Sequence, residues 1–253
     1  SINLYGKEFA CWFKPGHGNM NLSEAIKNSC NVYFYQLGRR LNIDTIARYA
    51  RTLGLGKLSG VDMPGEKEGL VPSTDWKRKA QGEAWYPGET ISVAIGQGPI
   101  LVTPLQVAAL TACVANRGIK VKPRVTRADS KTWSEQEKTG FKPETFEKII
   151  EGMWCSVNEG GTGQGAYQPG FDICGKTGST QVISREKAAK MIQRGEEPAR
   201  THSWFSGFAP RYNPQLIVTV LVEFGGMGGR TAAPIAGEIF KVYREKYVRQ
   251  ANL

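Results

Sequence analysis

The order in which two hydrophobic periodicities follow one another constrains this chain more than any other feature. Up to about residue 160 most apolar runs recur at helical spacing, and after that three segments read as strands: Phe171 to Ile183, Ser203 to Ala209 and Leu216 to Phe224. Asn213-Pro214 breaks the chain between the second and third, so that pair is expected as an antiparallel hairpin. The connection between the first two is charged and helix-prone. Pro234 to Tyr247 reads as a helix that covers the sheet. Helices first, then antiparallel strands, then a covering helix predict an α+β fold with one antiparallel sheet and flanking helices. At 253 residues the chain is long enough for a sizeable core.

Local signals place the helices. Asn21 caps Leu22 to Lys27, Val32 to Leu41 follows, and Asp44 opens a third helix that stops at Gly54. Residues 55–100 carry Pro64, Pro72 and Pro87 and read as loop, with one short helix capped by Ser73 and running through Lys79. Thr103-Pro104 is a cap followed by proline at the first helical position. The helix it opens, Leu105 to Asn116, ends at Gly118 and is apolar on nearly all sides, which predicts burial. Val121 to Ala128 alternates like a strand, 129–142 is polar loop, and Glu144 to Val157 is a helix that runs into the glycine-rich 159–165.

Several chemistries are excluded early. His17 and His202 are the only histidines, thin material for a Ser-His-Asp triad or a multi-histidine metal site. There is no G-x-S-x-G elbow and no phosphate-binding glycine fingerprint. The net charge is +10, but the basic residues are scattered. The densest cluster, Lys187 to Arg200, also holds Glu186, Glu196 and Glu197 at its start and within it, so no base-stacking basic stripe points to nucleic acid. No apolar stretch is long enough to span a membrane. Five cysteines, an odd number, argue against a disulfide framework, and Cys113 and Cys155 are expected in the core.

What remains are the short motifs of serine acyl transfer. Ser-x-Asn occurs at Ser1, Ser29 and Ser156, and Lys-Thr-Gly at Lys138 and Lys176. Context separates them. Lys138-Thr139-Gly140 follows a polar stretch, whereas Lys176-Thr177-Gly178 lies in a segment with apolar ends and a glycine on each side of the Lys-Thr pair, which marks close backbone approach. Ser29-Cys30-Asn31 lies at a junction between two helical runs, where two polar side chains can be fixed in a cleft.

Read together, residues 21–38, Ala94-Ile-Gly-Gln-Gly98, 102–109, 115–118, Cys174 to Gln181 and Trp204 to Pro210 resemble, in order, the motifs of class B penicillin-binding proteins. The likeness is greatest to the elongation type that builds side wall in rod-shaped bacteria. The resemblance implies the penicillin-binding and β-lactamase-like transpeptidase fold, with residues 1–253 as the C-terminal part of that domain. The family's S-x-x-K, which carries the nucleophile, precedes S-x-N by some tens of residues. The one Ser-x-x-Lys here is Ser184 to Lys187, downstream and in a charged connection, so the fold is expected to lack its first segment and the fragment alone to be inactive.

The resemblance also implies the reaction and the roles. A serine attacks the D-Ala-D-Ala amide of a peptidoglycan stem peptide, and an amine from a neighbouring stem resolves the acyl-enzyme. β-Lactam antibiotics stall after the first step. Ser29 relays a proton and Asn31 orients the substrate backbone. Lys176 supplies positive potential and Thr177 binds the terminal carboxylate. Gly178 leaves room for the ligand, and the Ser179 N–H is one oxyanion donor. No cofactor is needed for the chemistry. Cys11, His17 and Cys30 have the ligand types of a structural zinc site, in which four ligands are usual and upstream of Ser1 is one place for the fourth. Expected partners are the stem peptides, β-lactams and membrane proteins of cell-wall elongation, with the domain facing the periplasm from the bacterial inner membrane. D,D-carboxypeptidase and a non-catalytic sensor or scaffold are the competing readings; the glutamate loop of class A β-lactamases is not recognisable.

Overall fold

A computed structural model describes residues 1–127, 137–183, 190–195 and 201–248. The Ser184 to Lys187 motif lies outside these residues, as do Ala128 and most of the polar loop that follows it. Contacts divide the chain into two compact units, Ser1–Gly152 and Met153–Leu253.

The first unit opens with a two-stranded ladder, β1 (Ile2–Leu4) and β2 (Lys7–Phe9). Tyr5 and Gly6 both have positive φ, 52° and 72°, the geometry of a two-residue hairpin turn. Residues 1–20 read in sequence as short strand-like pieces broken by Gly6, Pro15, Gly16 and Gly18, and the first two of them pair as a second sheet beside the one expected. Helices α1 (Leu22–Lys27), α2 (Asn31–Arg40) and α3 (Ile43–Thr52) follow, close to the expected bounds. A reciprocal capping box of Asn21 and Glu24 opens α1. Leu4, Tyr35 and Ile91 form a buried cluster with Phe9 and Val32 against it.

Helix α4 (Thr74–Gln81) is capped by Ser73, as expected. The loop reading of 55–100 is corrected at α5 (Pro87–Val93), which begins with proline at its first turn and is closed by Glu89 accepting from the Tyr86 N–H. Thr103 and Gln106 box the start of α6 (Pro104–Ala115), which is buried or half-buried beyond its first residue. Gln106 also ties down the loop before it. Its Nε2 donates to the carbonyls of Lys57 and Glu68, each at 2.8 Å.

The strand expected at Val121 is absent from the described residues 121–127. The Asp62 carboxylate accepts from the N–H groups of Val125 and Thr126 and from the Thr126 hydroxyl, satisfying backbone donors that a neighbouring strand would otherwise take. These bonds hold the Asp62 carboxyl down at about 2, the Thr126 hydroxyl contributing most.

Helix α7 (Pro143–Asn158) carries the boundary between the units. In the second unit β3 (Cys174–Thr180), β4 (His202–Ala209) and β5 (Leu216–Val222) form one antiparallel sheet in that order. The expected hairpin is present, with Ala209 opposite Leu216. Helix α8 (Ala232–Tyr243) covers the sheet through Ala232, Ala233, Ala236 and Phe240, packed with Phe205, Ala209 and Val218. Burying a phenylalanine such as Phe205 or Phe240 contributes roughly 2–3 kcal/mol. Ser203, buried in β4, accepts from the Ala232 N–H at 3.1 Å and so caps α8 from the sheet. Cys113 is buried as expected, but Cys155 is only half-buried.

Candidate functional site

Three of the repeated motifs resolve as structure. Ser156 is buried in α7 and its hydroxyl accepts from Gly163 N–H, while Asn158 donates to the carbonyls of Trp154 and Ile173. Lys138 makes an isolated bridge with Ile119, and Thr139 N–H donates to Gly118 O. Asn3 belongs to β1.

Ser29 is different. It sits just past the C-cap of α1, where Ser29 N–H donates to Ile26 O and Cys30 N–H to Ala25 O. That pair of bonds is a Schellman ending, whose left-handed position is normally glycine. Here a serine takes it, with φ 51°. A side chain in that region costs about 1–2 kcal/mol and persists only where its surroundings fix it. Trp12 supplies part of the fixing. Its indole N–H is shared between the carbonyls of Asn28 (3.1 Å) and Ser29 (3.0 Å). Asn31 begins α2 directly afterwards, with Cys30 as its N-cap.

Cys30 also joins a cluster. The ligand atoms of Cys11, His17 and Cys30 all lie within 4.8 Å of one another, and Cys11 Sγ is 3.5 Å from His17 Nδ1. They line a cleft of about 420 Å³ in the first unit. His17 reaches it from between Gly16 and Gly18, both with positive φ. Burial pushes the Cys30 thiol up, the neighbouring Cys11 adds to this, and the Tyr33 N–H opposes it. Partial burial holds the His17 imidazole below its ordinary value. Zinc–sulfur bonds of about 2.3 Å in a tetrahedron place two thiolates about 3.8 Å apart, so these three side chains fit such an ion.

In the second unit Lys176, Thr177, Gly178 and Ser179 lie on β3, an edge strand among the described residues, opposite Ser206, Phe205, Trp204 and Ser203. The pleat puts Gly175, Thr177 and Ser179 on the face that carries Phe205, and Lys176 and Gly178 on the other. Lys176 Nζ donates to the Thr177 carbonyl at 2.9 Å. Burial alone pulls its ammonium down to about 8. The Thr177 hydroxyl donates to Thr162 Oγ1 at 2.9 Å, and Ser179 Oγ accepts from Gly228 N–H at 3.0 Å.

The glycines around Lys176 have packing reasons. A Cβ at Gly175 would meet Phe205 Cζ at 2.3 Å, so the close approach marked by this glycine is that of a cross-strand ring. One at Gly178 would stand 3.2 Å from Trp204 Cβ, so Trp204 would have to give way by a few tenths of an ångström. Gly228 crosses close to the strand backbone: its own Cβ would lie 2.4 Å from Gly178 O and 2.5 Å from Trp204 O. Sequence reasoning missed Trp12, Thr162 and Gly228. The glycine-rich 159–165 run was a signal for Thr162; an isolated tryptophan after Cys11 offered none. His202, the second histidine, accepts from Phe224 N–H at Nδ1 and is a sheet-end contact.

The sequence matches the penicillin binding protein transpeptidase domain over residues 2–241. It is 38% identical to the peptidoglycan D,D-transpeptidase MrdA of Acinetobacter baumannii, covering 97% of this chain and 38% of that protein. To MrdA of Haemophilus influenzae it is 33% identical, over 97% of this chain and 40% of that protein. The fold matches the penicillin-binding protein PBP2 of Helicobacter pylori in its complex with MreC, with TM-score 0.84 and 31% identity, over 97% of this chain and 44% of that one. It matches Pseudomonas aeruginosa PBP2 in complex with WCK 5153 with TM-score 0.82 and 32% identity, over 96% of this chain and 53% of that one. The chain therefore spans 38% and 40% of the lengths of these two curated relatives.

Proposed function

Because the chain belongs to the penicillin-binding protein transpeptidase domain family, we propose that it is the C-terminal part of a peptidoglycan D,D-transpeptidase domain of the elongation type. Its substrate is a stem peptide ending in D-Ala-D-Ala, and the nucleophilic serine comes from outside residues 1–253. The serine's oxygen forms a bond to the penultimate D-Ala carbonyl carbon, and terminal D-Ala leaves with the proton. The amine of a second stem peptide then displaces the serine and forms the cross-link.

In this reading Ser29 relays the proton to the leaving amine, since a hydroxyl both donates and accepts, and Asn31 holds the substrate backbone. Lys176 supplies positive potential for the terminal carboxylate, Thr177 bonds that carboxylate, and Gly178 gives the ligand access to the strand. The Ser179 N–H is one oxyanion donor; losing such a donor slows acyl transfer by about 100- to 1000-fold. The observation that carries the proposal is the family match over residues 2–241, with Lys176-Thr177-Gly178 set in the strand Cys174–Thr180.

Cys11, His17 and Cys30 would hold a zinc ion, which does no chemistry on the substrate. Held there, it would brace Cys30 and through it Ser29 and Asn31. The Helicobacter pylori neighbour is a complex with MreC, and we carry over to this protein a protein partner of that kind; β-lactam binding and a periplasmic face of the inner membrane belong to the same reading. No described helix is long and apolar enough to cross a membrane.

The test is intact mass with excess benzylpenicillin. Residues 1–253 alone are expected to stay unlabelled, and the same chain extended upstream by the segment its relatives carry is expected to take one adduct. An adduct on residues 1–253 overturns the placement of the nucleophile. An unlabelled extended chain overturns the enzyme in favour of a non-catalytic domain of the same fold.

A further inference from the structure

Two thiols placed to share a metal ion are also placed to join each other. Cys11 Sγ and Cys30 Sγ lie within 4.8 Å, and both cysteines are free. Cys11 is half-buried at the cleft wall, and Cys30 is 5% exposed. A disulfide holds its sulfurs about 2.0 Å apart, and zinc holds two thiolates about 3.8 Å apart. From at most 4.8 Å, the sulfurs close by up to about 1 Å for zinc and by up to about 2.8 Å for a disulfide. We propose that Cys11 and Cys30 form a redox-modification site, a dithiol that takes either one zinc ion or one disulfide and never both. The exclusion rests on the metal reading given above; the dithiol rests on geometry alone.

The oxidant class is a small exchangeable disulfide, RSSR. Cys11, the more accessible thiol, loses its proton to solvent and attacks one sulfur, forming Cys11–S–S–R and releasing RS⁻. Cys30, likewise deprotonated, attacks Cys11 Sγ, forms the Cys11–Cys30 bond and releases the second RS⁻. Two protein thiols are oxidised and RSSR is reduced to two RSH.

The consequence falls on Ser29 and Asn31, because Cys30 lies between them. Its N–H closes the turn onto Ala25 O, and it caps α2. Cys11 is followed by Trp12, which bonds the Ser29 carbonyl. Both ends of a Cys11–Cys30 bridge therefore lead to the Ser29 turn, and closing the sulfurs by ångströms pulls on it from two sides. Zinc holds the reduced spacing and shields it from oxidants.

The experiment treats reduced, metal-free protein with oxidised glutathione and follows it by intact mass and a non-reducing peptide map. The expected result is loss of two hydrogens and a linked peptide pair carrying Cys11 and Cys30. The Cys30→Ser variant instead keeps one glutathione on Cys11, which confirms the order of attack. Zinc at large excess over its dissociation constant, added before the oxidant, slows the linkage by at least about tenfold, by mass action on the reduced form, and a chelator restores it. Free Cys11 and Cys30 thiols after oxidation of the metal-free protein overturn the proposal and leave the metal reading standing. A linkage equally fast with zinc present overturns the exclusion, and the metal reading with it.

Discussion

Ser29 follows a six-residue helix, whereas Lys176 stands inside a seven-residue strand. Almost everything that shapes the Ser29 turn is near it in sequence: the Asn21–Glu24 box, the bonds to Ala25 and Ile26, and Trp12 seventeen residues away. Lys176 depends on distant residues. Ser206 is opposite it in the sheet, Phe205 fills the space at Gly175, and Gly228 crosses beside Gly178. One site is a strained turn held by local hydrogen bonds, and the other an unstrained strand held by packing. The two should fail differently when altered.

The largest effect is expected where packing is densest. Gly175→Ala places a methyl group 2.3 Å from Phe205 Cζ, and overpacking of this kind destabilises by about 3 kcal/mol. Denaturant unfolding measures it; a loss under about 1 kcal/mol would show that Phe205 swings aside and that β3 is less fixed than described.

The next effect is electrostatic. Lys176 has a pKa of about 8 when folded and 10.5 as its ordinary value, so folding disfavours its charged form. The unfolded chain then binds more protons between these values, and stability rises with pH through the window from about 8 to 10.5, by up to roughly 3 kcal/mol in total. The penalty is fully present below pH 8. Lys176→Met should remove this slope. An unchanged slope would show that the amine is solvated.

Trp12→Phe keeps a ring and removes the shared N–H, which should cost about 1 kcal/mol. Smallest is Ser29→Gly. It relieves the left-handed strain but adds chain entropy to the unfolded state, for a net gain of about 0.5 kcal/mol, while β-lactam acylation of the extended protein falls. In the glycine background Trp12→Phe should cost less, as a double-mutant cycle would read. Equal costs in both backgrounds would mean that Trp12 does not support the strained turn.

The same contrast decides what was legible in the sequence. Caps at Asn21, Ser73 and Thr103 were readable because a cap and its first turn are three residues apart. The three strands and their covering helix were readable from periodicity, although β3 is shorter than its apolar ends suggested. Helix α5 was hidden because Pro87 and Gly88 look like loop, while Glu89, the residue that closes the start, looks like any surface acid. Val121 to Ala128 alternates as a strand should, but its donors are taken by Asp62 more than sixty residues earlier. The motifs Ser29-x-Asn31 and Lys176-Thr177-Gly178 were legible as residue types. The left-handed serine and the ring behind Gly175 were not, because backbone handedness and cross-strand filling leave no mark on the local pattern.

Gln106 carries a consequence for how such a chain can vary. Its oxygen accepts from Thr103 N–H while its nitrogen serves two carbonyls from the 57–68 loop. Glutamate has the right shape but sets an anion against two oxygens, asparagine is one methylene short, and leucine leaves three backbone groups without partners. A single exchange at position 106 would thus release the 57–68 loop at both of its ends at once, at Lys57 and at Glu68.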